Sequence, residues 1–130
     1  MYRWVEHTGE LELEIVAADE AGVFDEATAA FRELVEHEPA APPAAIEVEL
    51  AAADRASLLA EWLSELVFRA ETERFVPVRV AALDLTENAI RATVHGRTGD
   101  PPHLVKAVTY HRLEFEARDG NWEAHVVFDV

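Results

Sequence analysis

Two oxygen anions close the sequence: the Asp129 side chain and the terminal carboxylate of Val130. They follow Trp122, Ala124, Val126 and Phe128, spaced with the period of a half-buried strand. Both anions are therefore expected at the end of an ordered strand rather than on a frayed tail. Adjacent carboxylates make half of a site for a hard cation, and Ca²⁺ or Mg²⁺ needs further oxygen ligands. Glu10 supplies a third if the turn before Leu11 lies beside that strand end. The competing expectation is a set of solvated surface acids.

The six histidines form no HxH or HExxH pair, so no zinc pattern is written in the chain. His7 opens the polar turn His7-Thr8-Gly9-Glu10, and His37 falls at the expected end of a helix. His95 and His103 flank a loop and are expected in solvent. His111 shares strand parity with Leu113, Phe115 and Ala117, which predicts a buried, hydrogen-bonded imidazole. His125 shares parity with Val127 and Asp129, which places an imidazole and a carboxylate on one face. Ser57 and Ser64 lie inside a predicted helix, no GxSxG elbow occurs and cysteine is absent. Serine and cysteine nucleophiles, disulfides and thiolate zinc sites are thereby excluded. No glycine loop of the phosphate-binding kind is present.

The elements that position these residues follow from hydrophobic period. Tyr2 to Val5 is a short extended start, and Leu11, Leu13 and Ile15 alternate with Glu12 and Glu14 as a strand. After a break at Asp19–Gly22, the apolar spacing of Phe24, Ala27, Phe31, Leu34 and Val35 predicts an amphipathic helix. Pro39, Pro42 and Pro43 end it. Ile46, Val48 and Leu50 make the next strand, and Asp54 caps a helix from about Arg55 to about Thr72. A strand beginning at Val76 turns at Glu87-Asn88 into Ala89–His95. A loop from Arg97 to His103 leads to strands Ala107–Ala117 and Trp122–Asp129, joined by Asp119-Gly120. Late strands joined by tight turns are antiparallel, so the class is α+β, with two helices on antiparallel or mixed sheet. Strand-helix-strand occurs twice, each time followed by further strand, which suggests a duplication.

All 130 residues fit one domain. Asp and Glu number 26 against 11 Lys and Arg, for a net charge of −15. Such a chain repels nucleic acid and anionic membranes at long range, and no basic strip is visible in the sequence. Basic partners and divalent cations are favoured. No apolar run follows Met1, which leads us to expect a cytoplasmic protein with neither leader nor membrane span.

Three blocks together resemble the archease family. His7-Thr8-Gly9-Glu10 is similar to that family's His-Thr-Ala-Asp turn after a short first strand. Leu58-Leu59-Ala60-Glu61-Trp62-Leu63 resembles its leucine-rich, tryptophan-bearing helix. Lys106-Ala107-Val108-Thr109-Tyr110-His111, with Gly120-Asn121-Trp122 and Asp129-Val130, is similar to its most distinctive strand and its closing hairpin. The resemblance spans essentially the whole chain in order. It implies paired strand-helix-strand-strand units and a non-catalytic partner of the RtcB-type RNA-splicing ligase. Such a partner promotes guanylylation of the ligase and its multiple turnover. It also implies a divalent-cation site, Ca²⁺ in the family with Mn²⁺ or Mg²⁺ as alternatives. Glu10, Asp129 and Val130 match its ligands, and Lys106, the only lysine, matches an activity-associated lysine. The chain departs from the pattern in Glu10 for aspartate and Gly9 for alanine. Glutamate reaches about 1.5 Å further, and glycine gives the backbone room to compensate.

Two other classes compete. A metal-dependent phosphoester hydrolase would use Glu10 and Asp129, with Lys106 and His125 as candidates for cation and base. A general chaperone or interaction module would need no ligase. His7, His111 and His125 stand as weaker site candidates beside the Glu10–Asp129–Val130 set.

Overall fold

The turn Thr8-Gly9 has one left-handed residue, Gly9 (φ +75°), and Asp119-Gly120 has two, Asp119 (φ +51°) and Gly120 (φ +80°). Each joins two strands of alternating polarity into a hairpin. The computed structural model describes residues 1–35, 41–99 and 105–130. Its elements run β1 (Tyr2–His7), β2 (Glu10–Ala17), α1 (Glu20–Val35), β3 (Pro43–Ala51), α2 (Arg55–Glu73), β4 (Phe75–Leu85), β5 (Ala89–Thr98), β6 (Ala107–Arg118) and β7 (Asn121–Asp129). His37 and His103, with Pro39, lie outside the described residues.

The first helix begins earlier than its apolar period indicates. Gly22, expected in a break, sits in its first turn. The cause is Asp19, whose Oδ1 accepts from Gly22 N at 2.7 Å while its carbonyl accepts from Val23 N at 3.3 Å. A Cβ at position 22 would come within 2.9 Å of that Oδ1, so glycine is what lets the cap close. The second helix starts as predicted, with Asp54 Oδ1 accepting from Ser57 N at 2.7 Å. It ends at Arg74, in the left-handed region.

Two sheets form, in the orders β1-β2-β7-β6 and β3-β5-β4. Every ladder among the described residues is antiparallel, so of the two expected arrangements, antiparallel or mixed, the first is the one that forms. The duplication is present but nested. β3, α2, β4 and β5 form one strand-helix-strand-strand unit with strand order first-third-second. β2, α1, β6 and β7 form the other in the same order, and the first unit is inserted between α1 and β6. The strand after α1 thus belongs to the other sheet, and β1 is an addition at the edge.

The helices lock the two units together. α1 packs on β1, β2 and β7 of its own sheet and runs along β4, while α2 packs on β3, β4 and β5 and runs along β6. One core results, with Leu13, Ile15, Phe24, Phe31, Leu58, Leu63 and Phe128 all buried. At its centre Trp62 is fully buried. Its Nε1 donates to Thr28 Oγ1 at 3.0 Å, and that hydroxyl donates to the Phe24 carbonyl at 2.8 Å. The Phe24 ring meets Trp62 edge-on, with centroids 6.0 Å apart. No helix among the described residues is long and apolar enough to cross a membrane.

Trp62→Ala should lower unfolding free energy by roughly 3–5 kcal/mol, the range for a large buried aromatic. Urea denaturation checks this. A loss under about 1 kcal/mol would mean that the indole does not join the helices as described.

Candidate functional site

The corner that holds the candidate residues is made by pairing. The β1–β2 hairpin sets His7 opposite Glu10, and β2 then pairs with β7 from Glu10↔Asp129 to Ala17↔Trp122. On the far side of β7, β6 sets Ala107 opposite Asp129. Two further bonds fasten the corner. Lys106 N donates to the Asp129 carbonyl at 2.9 Å, and Val130 N donates to the Gly9 carbonyl at 3.2 Å. Glu10, Asp129, Val130, Lys106 and His7 therefore meet at one end of one sheet. Leu13 and Ile15 are buried in the core, so Glu10 and Glu12 project from the opposite face of β2, and Asp129 shares that face. Directly opposed residues have Cβ atoms about 4.5–5.5 Å apart, within the span of two carboxylates around one ion.

In donor type the corner suits a hard divalent cation, because it offers carboxylate oxygens. In donor number it falls short. Among the described residues, no three His, Asp or Glu side chains gather as metal ligands. The corner gives two carboxylate side chains, and further oxygens would have to come from the terminal carboxylate, water or a partner.

Along the same face lies a cluster that sequence reasoning missed. Glu12 is buried, 6% exposed, although it faces away from the core. His7 Nε2 lies 3.4 Å from its Oε2, His125 Nε2 lies 3.5 Å from the same oxygen, and Arg112 Nη2 ion-pairs with Oε1. Burial pushes the Glu12 carboxyl up. The Arg112 charge and the contacts to His125 and His7 outweigh it and hold the group below its ordinary value. Arg112 reaches Glu12 because β6 is irregular: Thr109 pairs with Val127 and Glu114 with His125, so four residues of β6 oppose one of β7. Arg112 itself adopts a positive φ of 54°.

That excursion overturns one expectation. His111 is exposed rather than buried, because parity cannot be counted through the bulge. His125 does share the outer face with Asp129, but it is directed to Glu12. Its Nδ1 is 2.9 Å from the Arg112 carbonyl, an acceptor only, so Nδ1 carries a proton and Nε2 faces the carboxylate. Both ring nitrogens are engaged away from the Glu10–Asp129 corner. His95 is exposed as expected, with its Nδ1 3.2 Å from Arg79 Nη2. The sequence did contain one signal for the cluster: Glu12 shares parity with Glu10. Nothing marked the bulge that brings Arg112 over it.

The fold and the corner define a class: a small α+β protein of two nested units, with an acidic corner where the first hairpin meets the last strand. The Archease protein family (MTH1598/TM1083) profile matches residues 2–130. The archease of Methanosarcina mazei is 31% identical over 139 residues, spanning 99% of this chain and 95% of its own length. That of Pyrobaculum islandicum is 32% identical over 139 residues, with the same coverage. Among solved structures, protein 1598 of Methanobacterium thermoautotrophicum superposes with a TM-score of 0.76 at 26% identity, covering 99% of this chain and 98% of its own. A Thermotoga maritima protein described as an archease and possible chaperone shares the fold, with a TM-score of 0.69 at 20% identity and coverage of 100% and 98%. The chain belongs to the archease family.

Because its folded-state pKa is lowered, the Glu12 carboxylate stabilises the fold fully above the ordinary value of 4.5, and that contribution is lost as pH falls through the lower, folded value. Glu12→Gln should therefore be less stable than the wild type at pH 7, and the gap should shrink towards pH 3. Denaturant titrations across that range check this, and a constant gap would contradict it.

Proposed function

We propose that this chain is a non-catalytic activator of an RtcB-type RNA-splicing ligase in the cytoplasm. In this reading it promotes guanylylation and repeated turnover of the ligase without gripping RNA itself. Family membership supports it, and one observation carries it: the cross-strand pairing of Glu10 with Asp129 beside Lys106, whose amide is bonded to the Asp129 carbonyl. Glu10, Asp129 and the Val130 carboxylate would hold a divalent cation, Ca²⁺ by family resemblance, with Mn²⁺ or Mg²⁺ as alternatives. When bound, such an ion neutralises the clustered carboxylates and offers a Lewis-acidic contact to an oxygen anion on the partner.

The chain's own residues would do the rest. Gly9, left-handed at φ +75°, would let the turn before Glu10 adjust to the longer side chain. Lys106 is exposed, and its compact ammonium can meet a partner's anion in a way a planar guanidinium does not reproduce. The low donor number favours an ion held between two proteins over one caged by this chain alone. The hydrolase alternative would need a base at the corner, and His125 is directed to Glu12 instead.

Purified ligase, GTP and Mn²⁺ give the direct test, read as the fraction of ligase guanylylated. The wild-type chain should raise it, while Lys106→Ala should keep its melting temperature and lose the effect. If Lys106→Ala activates normally, the role assigned to Lys106 fails. Suppression of aggregation without any ligase would favour the chaperone reading.

The cation has its own readout. Ca²⁺ or Mn²⁺ should raise the melting temperature of the wild type by linkage, and Asp129→Asn should abolish the rise without unfolding the protein. One residue added after Val130 moves only the terminal charge. An unchanged Ca²⁺ response in that variant would remove the terminal carboxylate from the ligand set.

A further inference from the structure

We infer that a hollow beside the acidic corner is a docking pocket for one aliphatic or aromatic side chain carried on a basic protein surface. This rests on the reading of the chain as a partner of another protein, and it names the surface that partner meets. The hollow measures about 410 Å³, within the range of ligand-binding clefts. Leu11, Leu34, Val105 and Val130 supply its apolar lining, from β2, the last turn of α1, the segment before β6 and the chain end. Glu6, His7 and Glu10 supply the polar lining, and among the described residues no lysine or arginine joins them.

Two features point to the occupant. Leu11 and Leu34 are only half-buried although they pack against the core, so an apolar group entering here would complete their burial. The lining carries Glu6 and Glu10, Asp129 stands opposite Glu10 with Lys106 as the one lysine beside it, and the whole chain bears a net charge of −15. Cations flanking the inserted side chain would therefore be attracted to the hollow's rim. The nested duplication supplies an internal comparison. At the corresponding corner of the other unit, a hollow of about 420 Å³ is lined by Ala44, Ile46 and Phe75, together with Glu47, Arg69 and Glu73. Those last two form an ion pair at 2.9 Å. That hollow sets one arginine against two lining glutamates, whereas among the described residues the lining beside Glu10 holds two glutamates and no lysine or arginine.

Two peptides test the inference: acetyl-Lys-Lys-Phe-Lys-Lys-amide and the same sequence with Ala for Phe. Each is titrated into the methyl-labelled full chain by NMR. The Phe peptide should shift the Leu11, Leu34 and Val105 methyls while the Ala peptide leaves them in place. Glu6→Lys, an exposed change that spares the core, should weaken the Phe peptide at least fivefold. No shift at these methyls, or equal shifts from both peptides, overturns the inference. Methyl shifts that depend on protein concentration alone also overturn it, since the occupant would then be a second copy. In parallel, Leu34→Gln and Glu6→Lys should weaken RtcB-type ligase binding at least tenfold with the Ca²⁺ response intact. A ligase that binds neither wild type nor variants refutes the proposed function, and the peptide result still decides the pocket.

Discussion

The pairing of β2 with β7 is the constraint on which the rest depends. It joins a strand near the start of the chain to the last one, with every residue from Glu10 to Ala17 matched to a partner from Asp129 to Trp122. Closing so long a loop costs only slowly more with length, and burial of Leu13, Ile15, Val126 and Phe128 offsets it. The side-chain period is two, so a slip of one residue would bury Glu12 and Glu14 among the helices and expose the leucines. The core therefore fixes the register, and the register sets Glu10 against Asp129. An acidic corner held this way has a defined spacing, which a diffuse surplus of surface acids lacks.

Glu12 shows how the outer face differs from an ordinary solvated sheet. A carboxylate there would normally remain in water, yet a bulged segment of β6 carries Arg112 over it and two imidazoles approach from β1 and β7. Desolvation opposes the charge and the partners restore it, so the net contribution to stability is small compared with the damage from removing one partner. What such a cluster provides is a fixed position for the bulge and for His7, which faces Glu10 across the first turn. The left-handed Arg112 costs roughly 1–3 kcal/mol in backbone strain, which is tolerated because the ion pair and the His125 contact to its carbonyl hold it.

Local structure was largely legible in the sequence. Alternation marked the strands, the apolar stripe of α2 placed Trp62 in the core, and Asp54 and the glycine turns marked boundaries. These features depend on neighbours in the chain. What could not be read depends on partners far apart: the split into two sheets, and the insertion of one unit inside the other. The bulge is a third case. Counting parity from Leu113 assigned His111 to the core, and nothing in Tyr110-His111-Arg112 signals extra residues opposite β7. Gly22 misled for the opposite reason, because a helix breaker served as room for the Asp19 cap. The corner residues themselves were suggested by resemblance and by strand endings, while Glu12 and Arg112 needed the assembled sheet.

Nesting sets two comparable corners in the fold, and among the described residues only the first pairs two carboxylates across its strands. Both units have the same strand order, so each brings the first residues of one strand beside the end of another. In the first sheet these are Glu10 and Asp129, and in the second they are Pro43 and Arg97. Pro43 and Arg97 offer no facing carboxylates at the second corner, and Arg69 pairs with Glu73 in the adjacent hollow. Topology alone would create two equivalent sites. A few substitutions at strand ends, where side chains are least constrained by the core, leave one acidic corner beside one apolar hollow. A partner that needs both must then approach from a single direction.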